Sequence, residues 1–487
     1  MKKIFLSLFT LLIWFGCEDP NKDVDTNGPK TSILFPENNS VVSDTVIFVC
    51  ESIDENQILR VELWINNDST GIIDTSEPYE LKWITKGFEN GTHNAFIKAY
   101  DTLGNYSTSD TVTLFLDNFL IFNKTFGNPN ESEIGYAVIQ TSDMGYVILG
   151  SVGTENKDIC LLRTDYSGNE LWFQTYGGSQ HDEARHIKQT LDDGFIISGF
   201  TKSYGFGEED AWIIKVDASG LMDWNAKFGT SGNDRASQVL QDDDGGYIII
   251  GEKQNLTLNQ SDLWILKINS QGELSWEKTY GGDGDDRGYD FRKESNSYLL
   301  LGSTSTYGNG GHDIWLLKID HNGDKIWSNT YGSSNNEYGR SIINTEDEGY
   351  LIFATSESFG NDNTDLHNIK VDSVGSQQWI KSFGGFYGKN GNVLQKTPTG
   401  GYILISSRYS FNNNSYNMWL IKMDLNGNTE WTKTFGGLKN DYGFSIASTL
   451  DGGYVITGGT ESYGFETANF SDLWLLKTDI DGNTLYP

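Results

Sequence analysis

The chain has 487 residues, enough for more than one domain, and its 37% hydrophobic content supports folded cores rather than disorder. Its formal net charge of −32 argues against nucleic acid and anionic lipid headgroups as direct partners, because such a surface repels both. The 55 glycines, 7 prolines and 14 tryptophans are typical of many short strands joined by tight turns.

An export signal is predicted at the N-terminus. A pair of lysines precedes an apolar segment over Ile4–Phe15, which is too short for a transmembrane helix. Cys17 follows a glycine behind this segment and precedes an acidic run, an arrangement that resembles the lipobox of bacterial lipoproteins, although Trp14 stands where Leu is usual. The resemblance implies a signal peptide over residues 1–16, lipidation of Cys17 and an outer-membrane or cell-surface location. An ordinary signal peptide with an incidental cysteine remains the alternative.

A small β-domain is predicted next. Residues 17–30 are polar and are predicted to form a tether. Residues 31–117 contain about seven short strand-like segments, typical of a β-sandwich, and in one of them Val61, Leu63 and Ile65 fall on one face. The run FPENNSVV and the ending AYDTLGNYSTSDTVTLFL resemble bacterial immunoglobulin-like modules. The resemblance implies a spacer or adhesive unit.

Two cysteines remain besides the candidate lipidation site. Cys50 falls in the first predicted domain and Cys160 in the second, so no disulfide between them is expected. Both are predicted to be core side chains, and packing must therefore stabilise the exported protein.

Residues 118–487 repeat one motif. The pattern aromatic-x-x-(Thr, Lys or Ser)-aromatic-Gly occurs seven times at intervals of 50 to 52 residues, ending at Gly127, Gly177, Gly229, Gly281, Gly332, Gly384 and Gly436. Each repeat holds four strand-like segments separated by glycine-containing turns. Four antiparallel strands per repeat predict a propeller blade. The expected fold class is thus all-β, an immunoglobulin-like β-sandwich followed by a seven-bladed β-propeller of four-stranded blades.

The sequence also predicts how the ring closes. The repeat region opens with one strand, residues 120–127, equivalent to the fourth strand of a blade, and closes with the other three, the last at 472–479. These two segments are predicted to pair, because a closed ring exposes no sheet edge. The tail around Tyr486 begins another fourth strand and competes for the same place.

Two columns of large side chains recur and are predicted to pack between blades rather than to stack on sugars. The first column consists of Phe122, Trp172, Trp224, Trp276, Trp327, Trp379 and Trp431. The second consists of Cys160, Trp212, Trp264, Trp315, His367, Trp419 and Trp474, and in it Cys160 and His367 are predicted to be core substitutions rather than ligands.

A second resemblance concerns the repeat itself. The motif Asp-x-x-Gly-Asn-x-x-Trp, at 165–172 and 424–431, resembles the tryptophan-docking repeat of quinoprotein-like propellers. That family includes dehydrogenases that use pyrroloquinoline quinone and an outer-membrane lipoprotein that assists β-barrel assembly. The pattern over 451–483 looks more like the propeller repeats of secreted bacterial proteins. These resemblances imply a fold and leave the activity open.

Two sets of residues are candidates for a ligand face. Aromatic residues recur in the loops between second and third strands and are predicted either to stack on carbohydrate or to anchor those loops: Tyr204, Tyr307, Phe359 and Tyr463. A charged residue recurs at the start of each first strand, and this column is predicted either to attract cations or a cationic ligand to a channel mouth or to accept backbone amide bonds locally: Glu133, Asp182, Asp234, Asp286, Glu337, Lys389 and Asp441.

The sequence contains no enzyme signature, phosphate-binding loop or metal-ligand spacing among its six histidines. No catalytic residue, metal or cofactor is predicted. The expected function is that of an envelope-anchored lipoprotein that recognises carbohydrate or protein through one propeller face. Two alternatives remain open: a propeller enzyme acting on glycans or a quinoprotein, and an outer-membrane assembly factor.

Overall fold

The computed structural model describes residues 25–43, 45–85, 88, 91–116, 121–357, 365–383, 393–464 and 470–485. The chain divides into two compact units, Met1–Asn118 and Phe119–Pro487. Both units are all-β, and none of the described residues forms a helix that could span a bilayer. The predicted signal peptide over residues 1–16 and Cys17 lie outside the described residues, as do Phe359, Lys389 and Tyr486.

The first unit is an immunoglobulin-like arrangement of two sheets. Its described strands are β1 (Lys30–Phe35), β2 (Ser40–Val42), β3 (Thr45–Ile53), β4 (Ile58–Ile65), β5 (Asp68–Asp74), β6 (Tyr79–Ile84), β7 (Gly91–Asp101), β8 (Tyr106–Thr108) and β9 (Val112–Leu116). One sheet has the order β1-β3-β6 and the other β2-β9-β7-β4-β5, with β8 paired to β7. Alternate residues face a core that contains Phe48, Leu63, Trp83 and Leu114, and Cys50 is a buried free thiol in it.

The second unit consists, in its described part, of seven four-stranded antiparallel sheets, numbered I to VII. The strands are β10 (Phe122–Phe126) in sheet VII; β11 (Glu133–Gln140), β12 (Tyr146–Val152), β13 (Asp158–Thr164) and β14 (Glu170–Tyr176) in sheet I; β15 (Asp182–Gln189), β16 (Phe195–Thr201), β17 (Asp210–Val216) and β18 (Met222–Phe228) in sheet II; β19 (Arg235–Gln241), β20 (Tyr247–Asn255), β21 (Gln260–Ile268) and β22 (Leu274–Tyr280) in sheet III.

The remaining strands continue the same order, one sheet after another. They are β23 (Asp286–Lys293), β24 (Ser297–Thr304), β25 (Asp313–Asp320) and β26 (Lys325–Tyr331) in sheet IV; β27 (Glu337–Asn344), β28 (Tyr350–Ser356), β29 (Asp365–Val371) and β30 (Gln377–Phe383) in sheet V; β31 (Val393–Lys396), β32 (Tyr402–Ser410), β33 (Ser415–Met423) and β34 (Thr429–Phe435) in sheet VI; β35 (Asp441–Ser448), β36 (Tyr454–Thr460) and β37 (Asp472–Thr478) in sheet VII.

Strand β10 completes the last sheet, as the sequence predicts. It pairs antiparallel with β37, from Phe122 opposite Lys477 to Phe126 opposite Leu473. The tail is described only as far as residue 485, and there the Thr484 hydroxyl donates to the carbonyl oxygens of Phe122 at 3.2 Å and Lys477 at 2.9 Å. The N-terminal strand therefore supplies the fourth strand of sheet VII.

Each sheet contacts the next through its first strand, and β11 of sheet I contacts β35, β36 and β37 of sheet VII. The backbone N–H of Glu133 donates to the Ser471 carbonyl at 2.8 Å, and that of Val138 to the Ser445 hydroxyl at 3.3 Å. Most first strands contain a bulge, and the backbone N–H that follows it, that of Val138 in β11, has no partner in the strand ladder. A side chain of the preceding sheet then accepts it, which links sheets I and VII directly.

The second aromatic column is core packing, as predicted. Its tryptophans are at most 6% exposed, and Trp212 of sheet II packs in one cluster with Leu149 and Leu161 of sheet I. Cys160 takes the equivalent place between sheets VII and I and is fully buried, and burial raises the pKa of its thiol. The column therefore fills the space between successive sheets.

The first aromatic column packs against the turns of the following sheet. The Trp172 ring of sheet I lies against Gly220, whose φ is +82° and which closes the turn between β17 and β18. A methyl group at Gly220 would lie 2.8 Å from that ring. Glycine is thus required there both by its left-handed backbone and by the close approach of the indole.

Candidate binding surface

The predicted charged column is buried. Six of its seven members are described, and none is more than 4% exposed: Glu133, Asp182, Asp234, Asp286, Glu337 and Asp441. Asp182 accepts hydrogen bonds from the Gly178 N–H at 2.9 Å and the Ser203 hydroxyl at 2.7 Å. In Asp182, Asp286 and Asp441 such hydrogen bonds join the loop before the first strand to the loop after the second. These carboxylates therefore accept local hydrogen bonds, whereas the buried Oε2 of Glu133 and Oδ1 of Asp286 accept none from the described residues.

A second carboxylate, which the sequence analysis did not single out, faces most of the described members of this column. A methyl group at Gly229 would lie 2.7 Å from Asp210 Oδ1 and 2.7 Å from Asp234 Oδ2, so the two groups point at one place. The same geometry recurs at Gly281 (Asp262, Asp286), Gly332 (Asp313, Glu337) and Gly127 (Asp472, Glu133). The sequence feature that could have identified this second carboxylate is the Asp at the first position of most third strands, as in DAWIIKVD.

In such a pair one carboxyl group raises the pKa of the other. Burial and the neighbouring Asp234 raise the pKa of Asp210, whose Oδ1 is buried and accepts no hydrogen bond. The charge of Asp234 is stabilised by the N–H of Thr230 at 2.5 Å and of Gln254 at 2.7 Å. In sheet VI the neutral amide Asn417 replaces the first carboxyl, opposite Asp441.

The recurrent loop tyrosines act as anchors and remain partly exposed. The hydroxyls of Tyr204 and Tyr307 donate to the carbonyls of Gly177 at 2.7 Å and Gly281 at 2.9 Å. Their rings, 44% and 46% exposed, pack beside the tryptophan of their own sheet, and Tyr463 does the same next to Trp474. The exposed ring faces leave room for stacking on a ligand.

Arginines are concentrated in the first strands, which sequence reasoning missed because they do not recur in every repeat. Five of the eight arginines in the chain lie there: Arg185, Arg235, Arg287, Arg292 and Arg340. Arg235 pairs with the carboxylates of Glu209 and Glu252, the latter at 2.8 Å, and Arg287 lies 3.1 Å from Glu252. Among the described residues Arg340 has no carboxylate partner.

Aromatic side chains lie next to these arginines in the first strands. Tyr338 and Tyr289 flank Arg340, while Tyr136 of sheet I lies 5.4 Å from the Phe444 ring of sheet VII. All of these residues lie one or three positions after a buried carboxylate of a first strand. The basic and aromatic side chains therefore gather at one end of the first strands.

One carboxylate cluster could hold a cation, and it lies in the first unit. Oxygens of Asp25, Asp54 and Asp101 come within 4.8 Å of one another. Asn105 donates to both Asp101 oxygens, and Asn56 donates to Asp25 and Asp54. These hydrogen bonds account for the cluster without an ion.

Comparison with known proteins places the first unit in a family. The Bacterial Ig domain model matches residues 29–95, so the chain carries a bacterial immunoglobulin-like domain at its N-terminal end. No curated protein matches the chain. The first unit and the repeated four-stranded sheets together define an all-β protein.

Several solved structures align with this chain over part or most of its length. The extracellular domain of the putative one component system BT4673 from B. thetaiotaomicron is 12% identical with a TM-score of 0.43, and the alignment covers 92% of this chain and 60% of that one. The endo-arabinase from Bacteroides thetaiotaomicron VPI-5482 is 12% identical, with a TM-score of 0.32 and coverages of 51% and 95%. The CbhA fibronectin(III)-like modules of Clostridium thermocellum are 21% identical, with a TM-score of 0.16 and coverages of 18% and 98%.

Proposed function

We propose that this protein is an exported, envelope-anchored binding protein whose second unit is a seven-bladed β-propeller. Support for the propeller comes from the seven four-stranded sheets in sequence order and from the contacts of β11 with β35–β37. Support for export comes from the bacterial immunoglobulin-like domain and from the lipobox-like segment that ends at Cys17. In this proposal the first unit is a spacer.

The observation that carries the binding role is the cluster of arginine and tyrosine side chains at the start of the first strands. In a propeller these strands surround the axis, and the cluster then lines one mouth of the central channel. Arginine and tyrosine are the residues most often found at binding hot spots, because they combine hydrogen bonding with a large contact area. The ligand of this surface is a carbohydrate or a protein.

The experiment is a glycan array with the chain from residue 18 onward, run beside a hydrolysis screen on the same glycans. We expect binding to a restricted set of glycans without turnover. Release of reducing sugar by the protein would favour the enzyme alternative. Absence of binding to every glycan, together with capture of an unfolded outer-membrane strand peptide, would favour the assembly-factor alternative.

A further inference from the structure

A compact basic and aromatic cluster lies between sheets IV and V, where β23 and β27 begin. The Arg340 guanidinium carbon is 5.3 Å from the centre of the Tyr338 ring and 5.5 Å from that of Tyr289. The His312 ring lies 5.2 Å from Tyr338, tilted by 35°. Arg287 follows the buried carboxylate of β23 and acts electrostatically on both His312 and Tyr338. The five side chains thus surround one place.

Two nitrogens of this cluster are buried without a hydrogen-bond or ion-pair partner among the described residues. They are Nε of Arg340 and Nδ1 of His312, whereas Nε of Arg287 is paired with Glu252. Buried polar atoms are nearly always hydrogen-bonded in folded proteins, and two exceptions within one cluster indicate a missing partner. A ligand with several acceptor oxygens would satisfy them.

The charge of Arg340 points to the nature of that partner. The chain carries a formal charge of −32, yet no carboxylate of the described residues pairs with this guanidinium. Arg185, at the matching position in sheet II, binds Glu183 at 3.2 Å. Burial and the charge of Arg287 lower the pKa of His312. Its imidazole is therefore neutral and offers no positive charge to an anion. Arg340 is therefore the group available to an external anion.

We propose that Arg340, Tyr289 and Tyr338, with His312 and Arg287, bind the anionic group and ring of an acidic sugar. A guanidinium presents parallel N–H donors that match a carboxylate or a sulfate. Tyrosine faces stack on the apolar face of a sugar ring, and a neutral imidazole exchanges hydrogen bonds with hydroxyl groups. This assignment rests on the proposed binding function and specifies the ligand class at the same surface.

The test is isothermal titration of the full chain in detergent with short oligomers of galacturonic acid, with sulfated galactose oligomers and with neutral galactose oligomers of equal length. We expect at least one of the two acidic probes to bind, the neutral one to bind about tenfold more weakly or not at all, and the affinity to fall as salt is raised. The acidic arm that binds identifies carboxylate or sulfate.

Two variants locate the site. R340Q should weaken binding of the acidic probe about tenfold, whereas R60Q, in which an arginine of the first unit that is paired with Glu62 is changed, should leave it within about a factor of two. Thermal melting confirms that both variants are folded.

Several results would overturn the assignment. Neutral oligomers that bind as tightly as acidic ones, or equal losses in R340Q and R60Q, would do so while leaving the binding function intact. Equal binding of a polyglutamate peptide would assign the cluster to acidic protein ligands instead. Failure of all probes here, joined to failure on the array, would remove both proposals.

Discussion

The carboxyl groups of Asp210 in sheet II and Asp234 beside sheet III point at the same place next to Gly229. Because burial and Asp234 raise the pKa of Asp210 above its unfolded value, this group favours the folded state at low pH. The stability that Asp210 contributes is complete at pH values below the pKa of this group in the unfolded chain, near 4. It is lost as the pH rises through the pKa of the group in the folded chain.

The variant D210N tests this relationship. An amide mimics the protonated carboxyl, as Asn417 does in sheet VI, so the variant should be within about 1 kcal/mol of the native protein at pH 5. At pH 8 it should gain stability relative to the native protein. Urea unfolding at both pH values measures the difference, and a constant difference would contradict a raised pKa of Asp210 in the folded state.

Glu133 should show the same behaviour over a wider range. Burial, with Asp472 nearby, raises its pKa from 4.5 to about 7. The folded chain therefore holds a proton that the unfolded chain releases, and stability should fall between about pH 5 and pH 8 by up to about 3 kcal/mol. E133Q should flatten this part of the profile in urea unfolding experiments. A profile unchanged in E133Q would place the proton elsewhere.

His186 should make the folded state less stable as the pH falls, which is the opposite of the effect of Glu133. Its Nδ1 accepts the Val239 N–H at 3.3 Å, and burial with Lys188 lowers its pKa well below 6.5. A depressed folded pKa gives stability that is present above pH 6.5 and lost below it. H186Q keeps an acceptor, as Gln238 does for Phe291 at 2.8 Å, and should reduce the loss between pH 7.5 and pH 5.

The control for that experiment is H181Q. His181 lies 3.6 Å from Glu183 and is partly exposed, so its replacement should leave the acid side of the profile close to native. If H181Q and H186Q flattened the profile equally, the buried acceptor would not be the cause.

Gly220 and Gly245 form a matched pair for the sheet-to-sheet contacts. Their φ values are +82° and +81°, but a methyl group would strike the Trp172 ring only at Gly220, with open space at Gly245. G245A should cost about 1–2 kcal/mol from backbone strain alone, and G220A should cost more by about 1–3 kcal/mol. Thermal or urea unfolding of both variants measures the difference, which should vanish in a W172A background.

Lipidation of Cys17 is predicted to anchor the protein to a membrane. In a bacterial host that makes lipoproteins, the native chain should incorporate labelled palmitate and sediment with membranes, and C17S should do neither. C50S serves as the control, because Cys50 is a buried thiol of the first unit. Label retained in C17S would support an ordinary signal peptide.

Sequence periodicity predicted the parts of the fold that every repeat shares. Trp212 and its equivalents are buried between sheets, and Phe122–Phe126 pairs with Leu473–Lys477, because packing and edge closure act alike on each repeat. The contact of Arg340 with Tyr289 was not predictable in this way. Each of these residues occurs once at its position in the repeat, and only the approach of neighbouring sheets brings them together.

The pairing of carboxyl groups between neighbouring sheets was only partly predictable from the sequence. Both members of a pair recur along the chain, yet they belong to different repeats, and alignment of the repeats places them in separate columns. Their meeting at Gly229 depends on the angle at which sheet III follows sheet II. Sequence spacing does not encode that angle.

Strand β10 finds its partner β37 only at the far end of the chain, with Phe122 opposite Lys477. During synthesis or export from the N-terminus, this strand must wait until every other sheet has emerged. A chain truncated before β37 would leave two sheet edges open, one at each end of the array, and open edges recruit other strands. Shortened products of this protein should therefore aggregate or be degraded rather than accumulate as partial assemblies.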